Sequence, residues 1–264
     1  MASVEAVSES GVCVIRLNRP ERLNALGKEL LAELRSALVD FDQSDDDVAV
    51  ITGTGRAFCV GEDLKESAAE GVPTDSSFHD GDPYGISRIE KPFIAAVNGF
   101  AMGGGFMLAA GCDFRISVPD AIYEVSEVKR WHLGGFSHGY AANLPHAIST
   151  ELAFGFRLDA RRLYDVGYLN RLADPGDLIS TALTLAQQLR ALPPAARQNT
   201  LRMMRAMQPV PPPHLGDFAQ RLRRHGADSD LLEARRAFAE KRTPKFKGWD
   251  DPQDRWDGPA LTSP

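Results

Sequence analysis

The chain has 264 residues, of which 43% are hydrophobic and 25% charged, and its formal net charge is −6. This composition is typical of a globular protein, and the acidic balance argues against a nucleic-acid-binding surface, which usually carries a strong basic bias. No apolar run approaches the roughly 18 residues needed to cross a bilayer, and the N-terminus does not resemble a secretory signal. We therefore expect a cytoplasmic protein with neither nucleic acid nor membrane as a partner.

The three cysteines, Cys13, Cys59 and Cys112, are widely spaced in apolar or glycine-rich surroundings. They form no C-x-x-C pair, and no cluster of histidine, aspartate and glutamate has the spacing of metal ligands. We expect buried free thiols in a reducing compartment, and no metal site.

Short apolar runs rich in β-branched residues alternate with a helical pattern in the first half of the chain. Leu30, Leu34 and Leu38 recur at helical spacing, which predicts a helix over residues 28–42. The alternation predicts an α/β fold with a substantially parallel sheet. The predicted strands lie at residues 12–18, 47–53, 93–99, 113–118 and 121–125.

The segment between Lys65 and Arg88 is polar and rich in Gly, Pro, Ser and Asp, which predicts a mobile surface segment such as a lid. From about Ser180 onward the pattern is helical, with a break at the prolines of residues 209–213. The predicted helices lie at residues 180–192, 195–207, 215–226 and 229–242. We divide the chain into a core (1–190), a helical C-terminal region (191–249) and a tail (250–264).

Three consecutive glycines, Gly103, Gly104 and Gly105, lie where an apolar helical run begins after a predicted strand. A helix N-terminus presents unpaired N–H groups and the positive end of the helix dipole. Glycine there lets a ligand atom approach the backbone, which suits a carbonyl oxygen that becomes negative during a reaction. Close packing of the helix on a strand would explain the same glycines.

A second loop has a similar pattern, with Gly61 directly before Glu62 and Asp63. It also follows a predicted strand, so the two loops could donate one N–H each to a single oxygen. A plain turn between a strand and a helix explains this loop equally well. Neither loop by itself identifies a site that binds a carbonyl oxygen.

Five motifs occur in an order and at spacings similar to those of the crotonase family, the enoyl-CoA hydratase/isomerase superfamily of acyl-CoA enzymes. The motifs are RPERLNAL, GRAFCVGEDLKE, KPFIAAVNGFAMGGG, EVKRWHLGG and AFAEKRTPKFKG. A further block, LDARRLYDVGYLNRL, resembles the segment before that family's C-terminal helices, and the similarity covers roughly residues 10–249. The resemblance implies a ββα spiral core with a C-terminal helical trimerisation region, assembled as a homotrimer or a dimer of trimers.

In that family the thioester carbonyl of a CoA substrate lies between two backbone N–H groups. By motif these belong to Glu62 and Gly104, and coenzyme A enters as part of the substrate with no further cofactor. Other positions are implied to contact CoA or the acyl group, the last two often across a subunit boundary. They are Arg22, Leu23, Ala25, Val60, Gly61, Asp63, Leu64, Gly103, Gly105, Met107, Phe238 and Lys241.

The family's hydratases use two glutamates to activate one water, and this chain matches only the second. The first position is Met107, which has no proton to transfer, whereas Glu127 in SEVK matches the second. A single carboxylate suits double-bond isomerisation, in which Glu127 removes a proton at C2 and returns it at C4. Glu127 could instead cap a helix or pair with Lys129 or Arg130.

Other side chains could replace the missing carboxylate, and the stretch WHLGGFSHGY departs from the family's usual loop in a way that indicates an unusual acyl group. Each histidine could equally be structural. The candidate acids and the unusual residues of this loop are Glu62, Asp63, Glu124, His79, Trp131, His132 and His138.

The resemblance therefore implies an acyl-CoA enzyme that acts through a thioester enolate, as an enoyl-CoA isomerase first and a hydratase close behind. Hydrolysis, decarboxylation or dehalogenation of a CoA thioester would use the same N–H pair. A non-catalytic CoA-binding relative is the alternative from another class, because Met107 stands where a carboxylate is expected.

Overall fold

The strands of the chain form two sheets in the computed structural model, which describes residues 2–66, 84–130, 133, 136–210, 212–223, 225 and 228–261. The strands are β1 Val4–Glu9, β2 Val12–Leu17, β3 Val48–Gly53, β4 Ala57–Cys59, β5 Phe93–Val97, β6 Phe100–Met102, β7 Phe114–Ser117, β8 Ile122–Glu124, β9 Leu158–Asp159 and β10 Arg171–Leu172.

Helices cover the first sheet and make up most of the C-terminal part of the chain. The helices are α1 Lys28–Gln43, α2 Gly104–Gly111, α3 Phe136–Ala141, α4 His146–Ala153, α5 Ala160–Asp165, α6 Leu178–Arg190, α7 Pro194–Ala206, α8 Pro213–Arg223 and α9 Asp228–Ala239. Short 3-10 turns lie at Pro20–Arg22, Ile86–Arg88, Glu127–Arg130 and Pro252–Arg255.

The first sheet has the order β1-β2-β3-β5-β7-β10, and its strands are parallel from β2 onward. Every residue of β3 and β5 is buried, because parallel sheets are covered on both faces. Helix α6 packs across β2, β3, β5 and β7. The predicted α/β fold with a substantially parallel sheet is confirmed.

The second sheet has the order β4-β6-β8-β9, and β4, β6 and β8 are parallel. The chain enters it three times in the same way: β3, β5 and β7 lie in the first sheet, and the strand that follows each lies in the second. Because neighbouring parallel strands end at the same edge, the loops after β4, β6 and β8 lie next to one another. This repeat brings together segments that are far apart in sequence.

The sequence did not predict β1, β4, β6, β9 or β10, four of which have no more than three residues each. Runs that short carry too little periodicity to identify a strand. The prediction of a mobile surface segment up to Arg88 is wrong at its C-terminal end, because Tyr84 and Ile86 are buried. Arg205 donates to the carbonyl oxygens of Ile86 and Ile89 there. Residues 67–83 lie outside the described part of the chain.

The C-terminal helices are joined to the core by ion pairs. Helix α7 places Arg205 2.7 Å from Asp113 and also pairs with the core at Asp47 and Glu90. The carboxylate of Asp230, in α9, accepts the backbone N–H groups of residues 247 and 248, which lie beyond that helix. Among the described helices, none combines the length and the apolar character of a membrane span. The division into three regions and the trimerisation role stay predictions.

Candidate active site

The loops that follow β4 and β6 lie directly against each other. A methyl group added at Gly61 would lie 2.8 Å from the carbonyl oxygen of Met102 and 2.9 Å from the backbone nitrogen of Gly104. Gly61 also has a φ of 81°, a conformation that favours glycine. Both the contact and the backbone angle therefore require glycine at residue 61.

The backbone of Glu62 forms a parallel bridge with Leu26. The N–H of Leu26 donates to Gly61 at 2.7 Å, and the N–H of Asp63 donates to Leu26 at 3.4 Å. Because successive N–H groups of an extended segment point to opposite sides, the N–H of Glu62 faces away from Leu26. On the other loop, Gly104 is the first residue of α2, where N–H groups have no acceptor within the helix.

The three consecutive glycines have different neighbours. A methyl group at Gly105 would lie 2.0 Å from the carbonyl oxygen of Cys59, so this glycine is required for packing of α2 on β4. At Gly103 the nearest atom would be Oε1 of Glu127 at 3.5 Å. The packing explanation is therefore right for Gly105, whereas Gly103 opens toward a carboxylate. Burial raises the pKa of the Cys59 thiol to about 12, so this cysteine is an uncharged packing group.

Asn24 fixes the segment that carries Arg22, Leu23 and Ala25. Its buried side-chain amide donates to the carbonyl oxygens of residues 54, 57 and 58, and its side-chain oxygen accepts the N–H of Arg19. Leu23 and Asn24 both have positive φ angles. Asn24 was not predicted from the sequence, although Asn is the residue that tolerates this conformation best after glycine.

Asp63 joins this segment to the Gly61 loop. Its carboxylate lies 3.4 Å from Arg19 and 3.3 Å from Arg22, and it accepts the N–H groups of Lys65 and Glu66. Asp63 is therefore engaged in holding the loop, and its role as a substitute acid stays a prediction. The predicted contact residues Arg22, Leu23, Val60 and Leu64 are partly exposed on these two segments, and Ala25 is buried.

Glu127 is the first residue of the 3-10 turn after β8. Its Oε1 lies 3.4 Å from Nε2 of His138, and its Oε2 is buried without a hydrogen-bond partner among the described residues. The alternative in which Glu127 pairs with Lys129 is wrong, because Lys129 binds Glu124 at 3.0 Å. The site therefore contains a carboxylate with one oxygen that no described residue engages.

Glu124, a candidate for the second acid, is engaged in two ion pairs. It is buried and lies 2.8 Å from Arg157 as well as 3.0 Å from Lys129. Burial disfavours its charged form, but the hydrogen bonds from Arg157 and Lys129 outweigh this effect, so the pKa of Glu124 is below its ordinary value. Its backbone carbonyl accepts the N–H of Gly103 at 2.8 Å, which fixes the start of the glycine loop.

Met107 is buried in the main hydrophobic core, and its N–H donates to the carbonyl oxygen of Gly103.

Helix α9 packs against the turn that carries Glu127 within the same chain. Phe238, on α9, and Lys241, just beyond it, are both exposed. Contact of these two residues with a nucleotide stays a prediction. His79, Trp131 and His132 lie outside the described residues.

Tyr84 is a residue of this site that sequence reasoning missed. Its buried hydroxyl donates to the carbonyl oxygen of Gly104 at 2.7 Å and lies 2.8 Å from the position of an added methyl group on Gly104. Tyr84 thus holds the first peptide of α2 in place. No sequence signal indicated this contact, because Tyr84 lies within a segment whose composition is that of a surface loop.

Comparison with known proteins identifies the architecture. The chain matches the enoyl-CoA hydratase/isomerase family over residues 7–250. Enoyl-CoA hydratase EchA19 of Mycobacterium tuberculosis is 32% identical in an alignment of 271 residues, gaps included, that covers 94% of this chain and 99% of that protein. Carnitinyl-CoA dehydratase of Citrobacter koseri is 36% identical over 252 residues, which cover 89% of this chain and 94% of the relative.

A solved structure shows the same fold. A carnitinyl-CoA dehydratase from Mycobacterium avium 104 matches with a TM-score of 0.78 and 30% identity, over 94% of this chain and 99% of that chain. This chain therefore belongs to the enoyl-CoA hydratase/isomerase family and has the crotonase fold. It is an enzyme of the hydratase/isomerase type.

Proposed function

We propose that this enzyme binds an acyl-CoA thioester, receives the thioester oxygen with the N–H groups of Glu62 and Gly104, and transfers protons with Glu127. The contact between Gly61 and the Gly104 nitrogen supports the first part, because it places the two loops side by side. One backbone donor of this kind is typically worth roughly 2.7–4 kcal/mol of activation free energy.

The reaction we propose is the shift of a carbon–carbon double bond from C3 to C2 of an enoyl-CoA. Glu127 removes a proton from C2, and the electron pair of that C–H bond moves into an enolate whose charge lies on the thioester oxygen. The enolate then collapses, the double bond forms between C2 and C3, and protonated Glu127 gives its proton to C4. Atoms and charge balance with one carboxylate, and no water is consumed.

The observation that carries this proposal is the environment of the Glu127 carboxylate. Its Oε2 is buried without a described partner, and its Oε1 lies beside Gly103 at the start of α2. A carboxylate oxygen that no described residue engages is available to take a proton from the carbon next to the thioester carbonyl. Met107, in the place of the family's first glutamate, leaves Glu127 as the single acid of this motif pair.

The test is incubation of the enzyme with 3-enoyl-CoA and, separately, with 2-enoyl-CoA in buffered water. We expect conversion of the 3-enoyl to the 2-enoyl thioester, and a loss in kcat of roughly 10²–10⁴-fold in Glu127→Gln. Activity unchanged by this substitution would remove the assignment of Glu127. Release of free CoA or of a halide would favour the hydrolase or dehalogenase alternatives.

Hydration or dehydration is the second candidate, because the similar proteins named above are a hydratase and dehydratases. Formation of a 3-hydroxyacyl-CoA from the 2-enoyl thioester would establish it.

Association as a homotrimer or a dimer of trimers, with contacts through the C-terminal helices, is part of the same proposal. Sedimentation equilibrium measures this state directly, and a monomer would contradict it.

A further inference from the structure

His138 lies in α3 and faces the Glu127 carboxylate. Its Nε2 is 3.4 Å from Oε1 of Glu127, and its side chain is only 11% exposed. His138 and Glu127 are eleven positions apart in the sequence and lie on separate elements. The contact is thus produced by the fold and not by a local turn.

His138 is not a satisfied core histidine. Its second ring nitrogen, Nδ1, is buried and has no hydrogen-bond partner among the described residues. A buried N–H without an acceptor costs more than a buried lone pair, so the tautomer that fits carries its hydrogen on Nε2 and a lone pair on Nδ1. That tautomer places the ring hydrogen on the nitrogen that lies 3.4 Å from Glu127.

The backbone around His138 is built for close packing. A methyl group at the adjacent Gly139 would lie 2.6 Å from Cβ of Ser149 on α4, and the carbonyl oxygen of Gly139 accepts the N–H of Leu144 at 2.9 Å. Helix α3 is therefore held tightly against α4. Such a support fixes the position of the imidazole relative to the turn that carries Glu127.

We propose that His138 is a positioning residue for Glu127. Its Nε2–H engages Oε1, which sets the rotation of the carboxylate and presents Oε2 to the carbon chain of the substrate. This inference rests on the proposed function, since it assumes that Glu127 transfers the proton. It adds that the site uses a carboxylate–imidazole pair in which only the carboxylate touches the substrate.

The test uses three substitutions at one residue. His138→Gln keeps an N–H donor near the position of Nε2, His138→Asn has its donor near the position of Nδ1, and His138→Ala has none. A misplacement of about 1 Å costs on the order of 10²-fold in rate, so we expect His138→Ala and His138→Asn to lower kcat by roughly that factor while KM stays within about twofold. His138→Gln recovers most of kcat. His146→Ala, on the exposed surface of α4, is the control.

Each result has a defined meaning when the melting temperatures of the variants are measured alongside. Equal kcat in His138→Gln and His138→Asn, or a wild-type kcat in folded His138→Ala, would overturn the positioning role. A change confined to KM would also overturn it, because the imidazole would then bind substrate. If Glu127→Gln retains full activity, the proposed function itself fails. If Glu127→Gln loses activity while the folded His138 variants keep the wild-type kcat, only the positioning role of His138 is refuted.

Discussion

The substitution Gly61→Ala tests the two-loop arrangement most directly. The added methyl group would lie 2.8 Å from the Met102 carbonyl oxygen and 2.9 Å from the Gly104 nitrogen, whereas ordinary contacts begin at 3.4 Å. Both neighbours are backbone atoms, so the two loops must separate by about half an ångström. Donors to an oxyanion act at about 2.7–3.1 Å, and this displacement moves one of the two N–H groups out of that range.

Gly61→Ala is expected to lower both the stability of the protein and its kcat. Alanine in a left-handed conformation costs about 1–2 kcal/mol of stability, and overpacking adds about 1–3 kcal/mol. Loss of one donor lowers kcat by about 10²–10³-fold. Gly167→Ala is the matched control, since Gly167 also has a φ of 81° but no atom within 4 Å of the added methyl group. The control therefore carries the backbone strain without the separation of the loops.

The assay measures kcat with an enoyl-CoA substrate and the melting temperature for both variants. One kcal/mol of stability corresponds to about 2–4 °C in melting temperature for a protein of this size. We therefore expect the melting temperature of Gly167→Ala to fall by a few degrees with kcat unchanged, and that of Gly61→Ala to fall further. Only Gly61→Ala should lose kcat by two orders of magnitude or more. A folded Gly61→Ala enzyme with a kcat within threefold of wild type would refute the assignment of the two N–H groups.

Three further results are expected. Asn24→Ala leaves buried carbonyl oxygens without their donor and should lower the free energy of unfolding by roughly 2–4 kcal/mol, as a denaturant titration would measure. Met107→Glu should increase formation of 3-hydroxyacyl-CoA relative to the 2-enoyl product, while Met107→Gln should not; equal product ratios would contradict the role of a second carboxylate. The folded-state pKa of Glu124 is lowered, so its charge stabilises the fold at neutral pH and this contribution disappears as the pH falls below about 4.5. Glu124→Gln should therefore lower the melting temperature at pH 7, with a difference that shrinks under acid; a constant difference would contradict the ion pairing.

Much of the site was predictable because its motifs are local. The glycines at residues 103–105, the loop around Gly61 and the glutamate of SEVK are each contiguous in the sequence. The packing role of Gly105 and the positive φ of Gly61 could not be separated from access to a ligand by sequence pattern. That distinction depends on which backbone atoms approach each glycine across the second sheet.

The missed residues share a physical cause. Asn24 and Tyr84 act through hydrogen bonds to carbonyl oxygens of segments at least twenty positions away. Backbone acceptors carry no side-chain signal, so a contact of this kind leaves no pattern in the sequence. The buried end of the segment up to Arg88 was missed for a similar reason: its composition is that of a loop, but Arg205 anchors its carbonyl oxygens.

The sequence by itself determined the family, the α/β class and the chemical types available to the site, because these depend on motifs and on short-range periodicity. It also determined that residue 107 is a methionine, whose side chain cannot transfer a proton. Only the tertiary structure decided that Glu124 forms ion pairs with Arg157 and Lys129 while Glu127 faces His138. The reason is that the partners of a carboxylate are chosen by how β8, α3 and the chain around Arg157 pack in space, and no spacing along the chain encodes that choice.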